Sequence, residues 1–115
     1  MSDAPILGPM NNITDLDAAS DFERKHTPHI AAKRDGEHVE VRIKVGHYVS
    51  HPNQPDHYIQ WIELYADGAP IARFDLSPVA TDPDVGVVVA VDAGTTLRAV
   101  EYCNLHGLWA AEIEA

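Results

Sequence analysis

Cysteine is nearly absent from this chain: there is one, Cys103, in 115 residues. A single thiol excludes an internal disulfide framework and makes a reducing, cytoplasmic compartment the expectation. Basic residues are also scarce. Eight Lys and Arg stand against eighteen Asp and Glu, a formal net charge of −10. That balance argues against nucleic acid and against anionic membrane surfaces as partners. No apolar run approaches the length needed to cross a bilayer. The opening Met1-Ser-Asp-Ala-Pro-Ile-Leu-Gly-Pro-Met10 has no basic segment and no continuous apolar stretch, so it does not read as a secretory leader.

What is present is one domain's worth of β pattern. The length allows a single core. Residues 1–22, rich in Asn, Asp, Pro and small side chains, read as a loosely ordered arm with one short helical turn near 15–22, capped by Ser20 or Asp21. Residues 23–115 read as the folded domain. His38-Val-Glu-Val-Arg-Ile-Lys-Val45 alternates strictly, as a strand with one wet face does. Further strands are expected over 57–65, 71–76, 85–91, 95–102 and 108–113. Loops are expected at 46–56 and 77–84, and a turn at Ala66-Asp-Gly-Ala-Pro70. The segments 85–91 and 95–102 read as a hairpin across Asp92-Ala-Gly-Thr95. Short strands at this spacing, with little helix, predict an all-β, antiparallel β-sandwich.

The chemistry concentrates near the C-terminus, in Glu101-Tyr-Cys-Asn-Leu-His-Gly-Leu-Trp109. A thiol three residues before an imidazole fits a metal site, a nucleophile with its base, or an inert buried cysteine. Three more imidazoles favour the metal: His26 in Lys25-His26-Thr27-Pro28, and His51 and His57 in His51-Pro-Asn-Gln-Pro-Asp-His57. A Cys–His nucleophile leaves those three unexplained. His29 and His38 read as surface residues, the four-residue step from His47 to His51 falls in a loop and carries no special meaning, and Trp61 and Trp109 read as core.

These pieces, Lys-His-x-Pro, His-Pro, His-x-Ile-x-Trp-Ile-Glu-Leu and Cys-Asn-x-His-Gly-x-Trp, occur in an order that resembles the superoxide reductase family, the neelaredoxin and desulfoferrodoxin iron-binding domain. The resemblance runs from about Glu23 to the C-terminus. It implies an immunoglobulin-like sandwich of about seven strands. It also implies one iron per chain, cycling between ferrous and ferric, held by His26, His51, His57 and His106 in a plane with Cys103 axial. The reaction implied is one-electron reduction of superoxide to hydrogen peroxide, with electrons from an external, rubredoxin-like donor. By the same resemblance the chain is a homotetramer, and Lys25 attracts the anion and orders a water for proton delivery.

Two positions depart from the family pattern. Glutamate usually precedes the lysine, where it caps ferric iron. Here that position is Arg24 and the glutamate is Glu23. Either Glu23 reaches in through a shifted loop or solvent caps the ferric site, and the second is the expectation. Arg24 would add positive charge at the mouth. Asn53 stands where methionine is common, with an effect on packing and not on ligation. Trp109 is expected to cover the metal, and Asn104 and Gly107 to offer backbone N–H groups to the sulfur. The larger members carry a second iron centre on four cysteines, which this chain cannot hold. The alternative function is a non-catalytic metal-binding or interaction module on the same sandwich.

Overall fold

The structure is a computed structural model that describes residues 10–115. Nine segments follow in order: β1 (Asn11–Asn12), α1 (Asp21–His26), β2 (His29–Asp35), β3 (His38–Lys44), β4 (Ile59–Ala66), β5 (Ala69–Asp75), β6 (Asp84–Ala90), β7 (Thr96–Cys103) and β8 (Gly107–Glu114). They form two sheets, β1-β8-β7-β4-β5 and β2-β3-β6. The result is the all-β sandwich that the pattern predicts.

Alternation builds the core. β3 buries Val39, Val41 and Ile43 and exposes the residues between them. β4 contributes Ile59, Ile62 and Leu64, and β7 contributes Leu97, Ala99 and Cys103 to the same cluster. A fully buried Leu, Ile or Val stabilises by about 1.5–3 kcal/mol. The two sheets are therefore held chiefly by this layer.

Two expectations are corrected, and one strand went unread. The segments at 85–91 and 95–102 are strands but not a hairpin. β6 pairs with β3 in one sheet, whereas β7 pairs with β4 and β8 in the other. The connection at Asp92–Thr95 crosses between the sheets, and its backbone bonds to the chain end instead, Gly94 N–H to Ala115 O and Ala115 N–H to Thr95 O. β2, paired with β3 along its whole length, lay unread in the sequence. It is an edge strand in which Ile30 alone is buried, so it carries no alternation. The helix lies at 21–26, not 15–22. Ser20 caps it, and the stretch around Asp17 is a turn closed by Ala19 N–H to Leu16 O at 3.3 Å. The helix thus straddles the expected boundary between arm and domain. Within the arm, Asn11 and Asn12 add to β8 as a parallel pair. The first nine residues of the arm lie outside the described residues. Among those described, no helix is long and apolar enough to cross a membrane.

Candidate metal centre

Three pieces of chain meet at one end of the sandwich. The first is the C-terminal end of α1. Ser20 accepts from the Glu23 N–H at 3.2 Å, and Glu23 Oε1 accepts from the Ser20 N–H at 2.9 Å. This capping box stabilises a six-residue helix that is marginal alone. It delivers His26, fully buried, as the last helical residue. The second piece is the long β3–β4 connection, with His51 and His57. Gly46, at φ 89°, opens it, and a Cβ there would meet the His51 backbone nitrogen at 3.0 Å. The third is the β7–β8 hairpin. Cys103 ends β7, Gly107 opens β8 at φ 80°, and three residues lie between. A three-residue loop closed by a left-handed glycine is a common hairpin form, and it presents Cys103 and His106 together.

The four imidazoles form a closed circle. Ring centroids are 4.8 Å apart from His26 to His51, 4.9 Å from His51 to His57, 5.2 Å from His57 to His106 and 5.0 Å from His106 to His26. Each ring stands at 72–82° to the next. Cys103 Sγ lies against the circle, 3.5 Å from His51 Nε2 and 3.8 Å from His106 Nδ1. Donor atoms of His26, His57, Cys103 and His106 all lie within 4.8 Å of one another. His51 stands outside that tighter group but joins it through the sulfur contact.

The free ring nitrogens are chosen by hydrogen bonds at the back. His26 Nδ1 donates to Phe22 O at 2.7 Å, and His51 Nδ1 donates to Pro52 O at 2.6 Å. Each bond leaves Nε2 turned to the centre as a lone pair. His57 Nε2 is buried with no hydrogen-bond partner. A buried polar atom left unpaired costs about 1–3 kcal/mol. A cation held among these donors would satisfy it, so the residues fit a metal. Burial drives the His26 pKa down to about 4 and the His51 pKa to about 3, against 6.5 normally. Burial lowers His57 as well. These three imidazoles are therefore neutral and ready to ligate at pH 7.

The thiol behaves oppositely. Desolvation pushes Cys103 up to about 11, opposed by the backbone N–H groups of Leu105 and His106. These, and not Asn104 or Gly107, are the backbone donors to the sulfur; the Asn104 N–H goes to Tyr58 O at 3.2 Å. An aromatic wall backs the site. Trp109, 1 % exposed, stacks on His26 at 4.8 Å and donates its indole N–H to His106 O at 3.1 Å. Phe22 packs against His26, His106 and Trp109.

The remaining residues fall out as follows. Lys25, half-buried beside His26, exerts a charge felt at His26, His51, His57 and Cys103. The Glu23 carboxylate is engaged by the capping box. Arg24 turns away from the mouth and holds the arm, donating from Nε to Leu16 O at 2.8 Å and from its guanidinium to Asp17 O at 3.1 Å. Asn53 grips a neighbouring loop, accepting from the Val79 N–H at 2.7 Å and donating to Thr81 O at 3.2 Å. Trp61 is not core: it is half-buried, stacked on Tyr102 and under Arg73. His29 and His47 stack on each other at 3.8 Å, away from the circle.

Glu101 escaped the sequence reading. It is fully buried, neither carboxyl oxygen has a partner, and burial raises its pKa well above the usual range. The signal was available. Leu97, Ala99, Glu101 and Cys103 occur at a period of two on one strand, which puts the carboxyl on the inward face.

Comparison with known proteins agrees with this architecture. The family model described as Desulfoferrodoxin matches residues 18–112. A superoxide reductase from Pyrococcus horikoshii is 36% identical over 99 residues, covering 78% of this chain and 86% of that protein. A desulfoferrodoxin from Syntrophotalea carbinolica is 42% identical, covering 90% of this chain and 74% of that one. Among solved structures, a superoxide reductase from Nanoarchaeum equitans superposes with a TM-score of 0.79 at 31% identity, over 93% of this chain and all of that one. With a fold, a ring of donors and relatives of nearly full length in agreement, the chain belongs to the desulfoferrodoxin family of superoxide reductases.

Proposed function

We propose that the protein reduces superoxide at one iron per chain, held by His26, His51, His57 and His106 with Cys103 as the fifth donor. The observation that carries this reading is the closed circle of four imidazoles with a thiol against it. Zinc sites close with four ligands, whereas five donors of imidazole and thiolate type suit iron. Bound iron would supply one electron to superoxide, which takes up two protons and leaves as hydrogen peroxide.

The chain's own residues do the rest. Lys25 attracts the anion and holds a water for proton delivery. The Leu105 and His106 N–H groups stabilise the Cys103 thiolate and so moderate its electron donation. Trp109 and Phe22 keep water from the rings behind. Glu23 serves its helix, so solvent and not this carboxylate caps the oxidised site. The electron returns from an external, rubredoxin-like donor, and the working form is a homotetramer in the cytoplasm.

The test is optical. Protein loaded with ferrous iron without oxygen, then oxidised, should show a broad thiolate-to-ferric band that bleaches on reduction and returns on adding superoxide. Cys103→Ser should lose both the band and the activity. A colourless protein with full iron occupancy would remove Cys103 from the ligand set and the reading with it.

A further inference from the structure

The four imidazoles are not held alike. His26 and His51 are each anchored through the ring, by Nδ1 donating to a backbone carbonyl. His57 has no such anchor: among the described residues neither of its ring nitrogens makes a hydrogen bond. Its backbone pairs only with Gln54, three residues earlier, N–H to O at 3.0 Å and back at 2.9 Å. That pair closes a local turn but cannot place the turn against the rest of the site.

Asn104 does place it. Its Oδ1 accepts from the Tyr58 N–H at 2.9 Å, its Nδ2 donates to Asp56 O at 2.9 Å, and its own N–H donates to Tyr58 O at 3.2 Å. The side chain thus grips the residue before His57 and the residue after it. Asn104 also follows Cys103 directly, so the same amide ties the His57 loop to the hairpin that carries two other donors. We infer that Asn104 is a positioning residue that sets His57 against the metal, substituting a backbone bracket for the missing ring hydrogen bond. The inference rests on His57 being a ligand. An asparagine suits the task because one planar group offers an acceptor and a donor to two successive peptide units.

A double-mutant cycle tests this. The affinity of cobalt(II), measured against a competing chelator, and the intensity of its visible bands are compared in wild type, Asn104→Ala, His57→Ala and the double variant. Loss of an outer partner typically weakens metal binding about 10–100-fold, and Asn104→Ala should fall in that range with altered band intensity. On the His57→Ala background the same change should weaken binding by less than about twofold, because coupled residues are non-additive. Asn104→Asp, which keeps an acceptor for Tyr58 but loses the donor to Asp56, should lie between and carries the cycle if Asn104→Ala does not fold. Wild-type affinity in Asn104→Ala, or equal losses on both backgrounds, overturns the positioning role. Wild-type affinity in His57→Ala instead overturns the ligand assignment, and the positioning role falls with it.

Discussion

Burial sets the proton inventory of each residue at the metal centre, and the inventory can be read out. In metal-free protein at pH 7 His26 and His51 are neutral while the Cys103 thiol, pushed up to about 11, is protonated. A metal needs the thiolate. Binding at pH 7 should therefore release about one proton per metal, and that proton should vanish in Cys103→Ser. Calorimetry in two buffers of different ionisation heat measures it. Glu101 leaves a second mark. His26 and His51 have folded pKa values of about 4 and about 3 against 6.5 unfolded. Between these values the unfolded chain binds more protons, so stability rises with pH up to 6.5. Glu101, raised above 4.5, holds a proton that the unfolded chain has lost, so it makes stability fall with rising pH. Between 4.5 and 6.5 the two histidines outnumber it, so the net slope is upward. Melting temperature of metal-free protein should climb over this range. Glu101→Gln, relieved of the opposing carboxyl, should climb more steeply over the same range. An equal climb in both would remove Glu101 from the pH dependence.

At the scale of elements, what was legible depended on which forces fix each segment. β3 announces itself because one face is buried and the other wet. β2 does not, because an edge strand with one buried residue has no pattern to show. Asp92-Ala-Gly-Thr95 has the chemistry of a hairpin turn, yet the same residues serve a crossing between sheets, and local turn signals do not distinguish the two. The candidate donors were legible because each sits in a short motif, His26 at the end of α1, His51 and His57 in the β3–β4 connection, and Cys103 and His106 in the β7–β8 hairpin. The asparagine bracket was not, since it joins residues 46–48 apart in sequence. α1 was legible only in part: six residues make no helical period, and its position follows from the cap. Ser20→Ala removes one side of the capping box and should cost about 1 kcal/mol of stability in denaturant unfolding. Glu23→Gln keeps an acceptor for the Ser20 N–H and should stay close to wild type. It should also leave the spectrum of the oxidised iron form unchanged; a shifted band would mean that the Glu23 carboxylate reaches the metal.

For the whole molecule the question is how an acidic protein captures an anion. The formal charge is −10, and four arginines do little to offset it at the site. Arg24, Arg42, Arg73 and Arg98 are each matched to a carboxylate at the surface. Arg24 in addition faces the arm. Lys25 is in no ion pair among the described residues, and its charge is felt at three of the four imidazoles and the thiol. Near the mouth, attraction by this one ammonium competes with diffuse repulsion from the rest. Repulsion comes from charges spread over the surface, which salt screens beyond about 8 Å at physiological ionic strength. With Lys25 in place the net local field should be attractive, and the rate of superoxide capture should then fall as ionic strength rises. In Lys25→Ala only the repulsion remains. Capture at low salt should slow about tenfold, the low end of electrostatic steering effects, and the salt dependence should change sign, the rate now rising with ionic strength. Iron content should be unchanged, since Lys25 lies outside the proposed ligand set. Rapid-mixing kinetics over a range of salt concentrations gives both numbers, and a variant with the wild-type rate and slope would remove Lys25 from substrate capture.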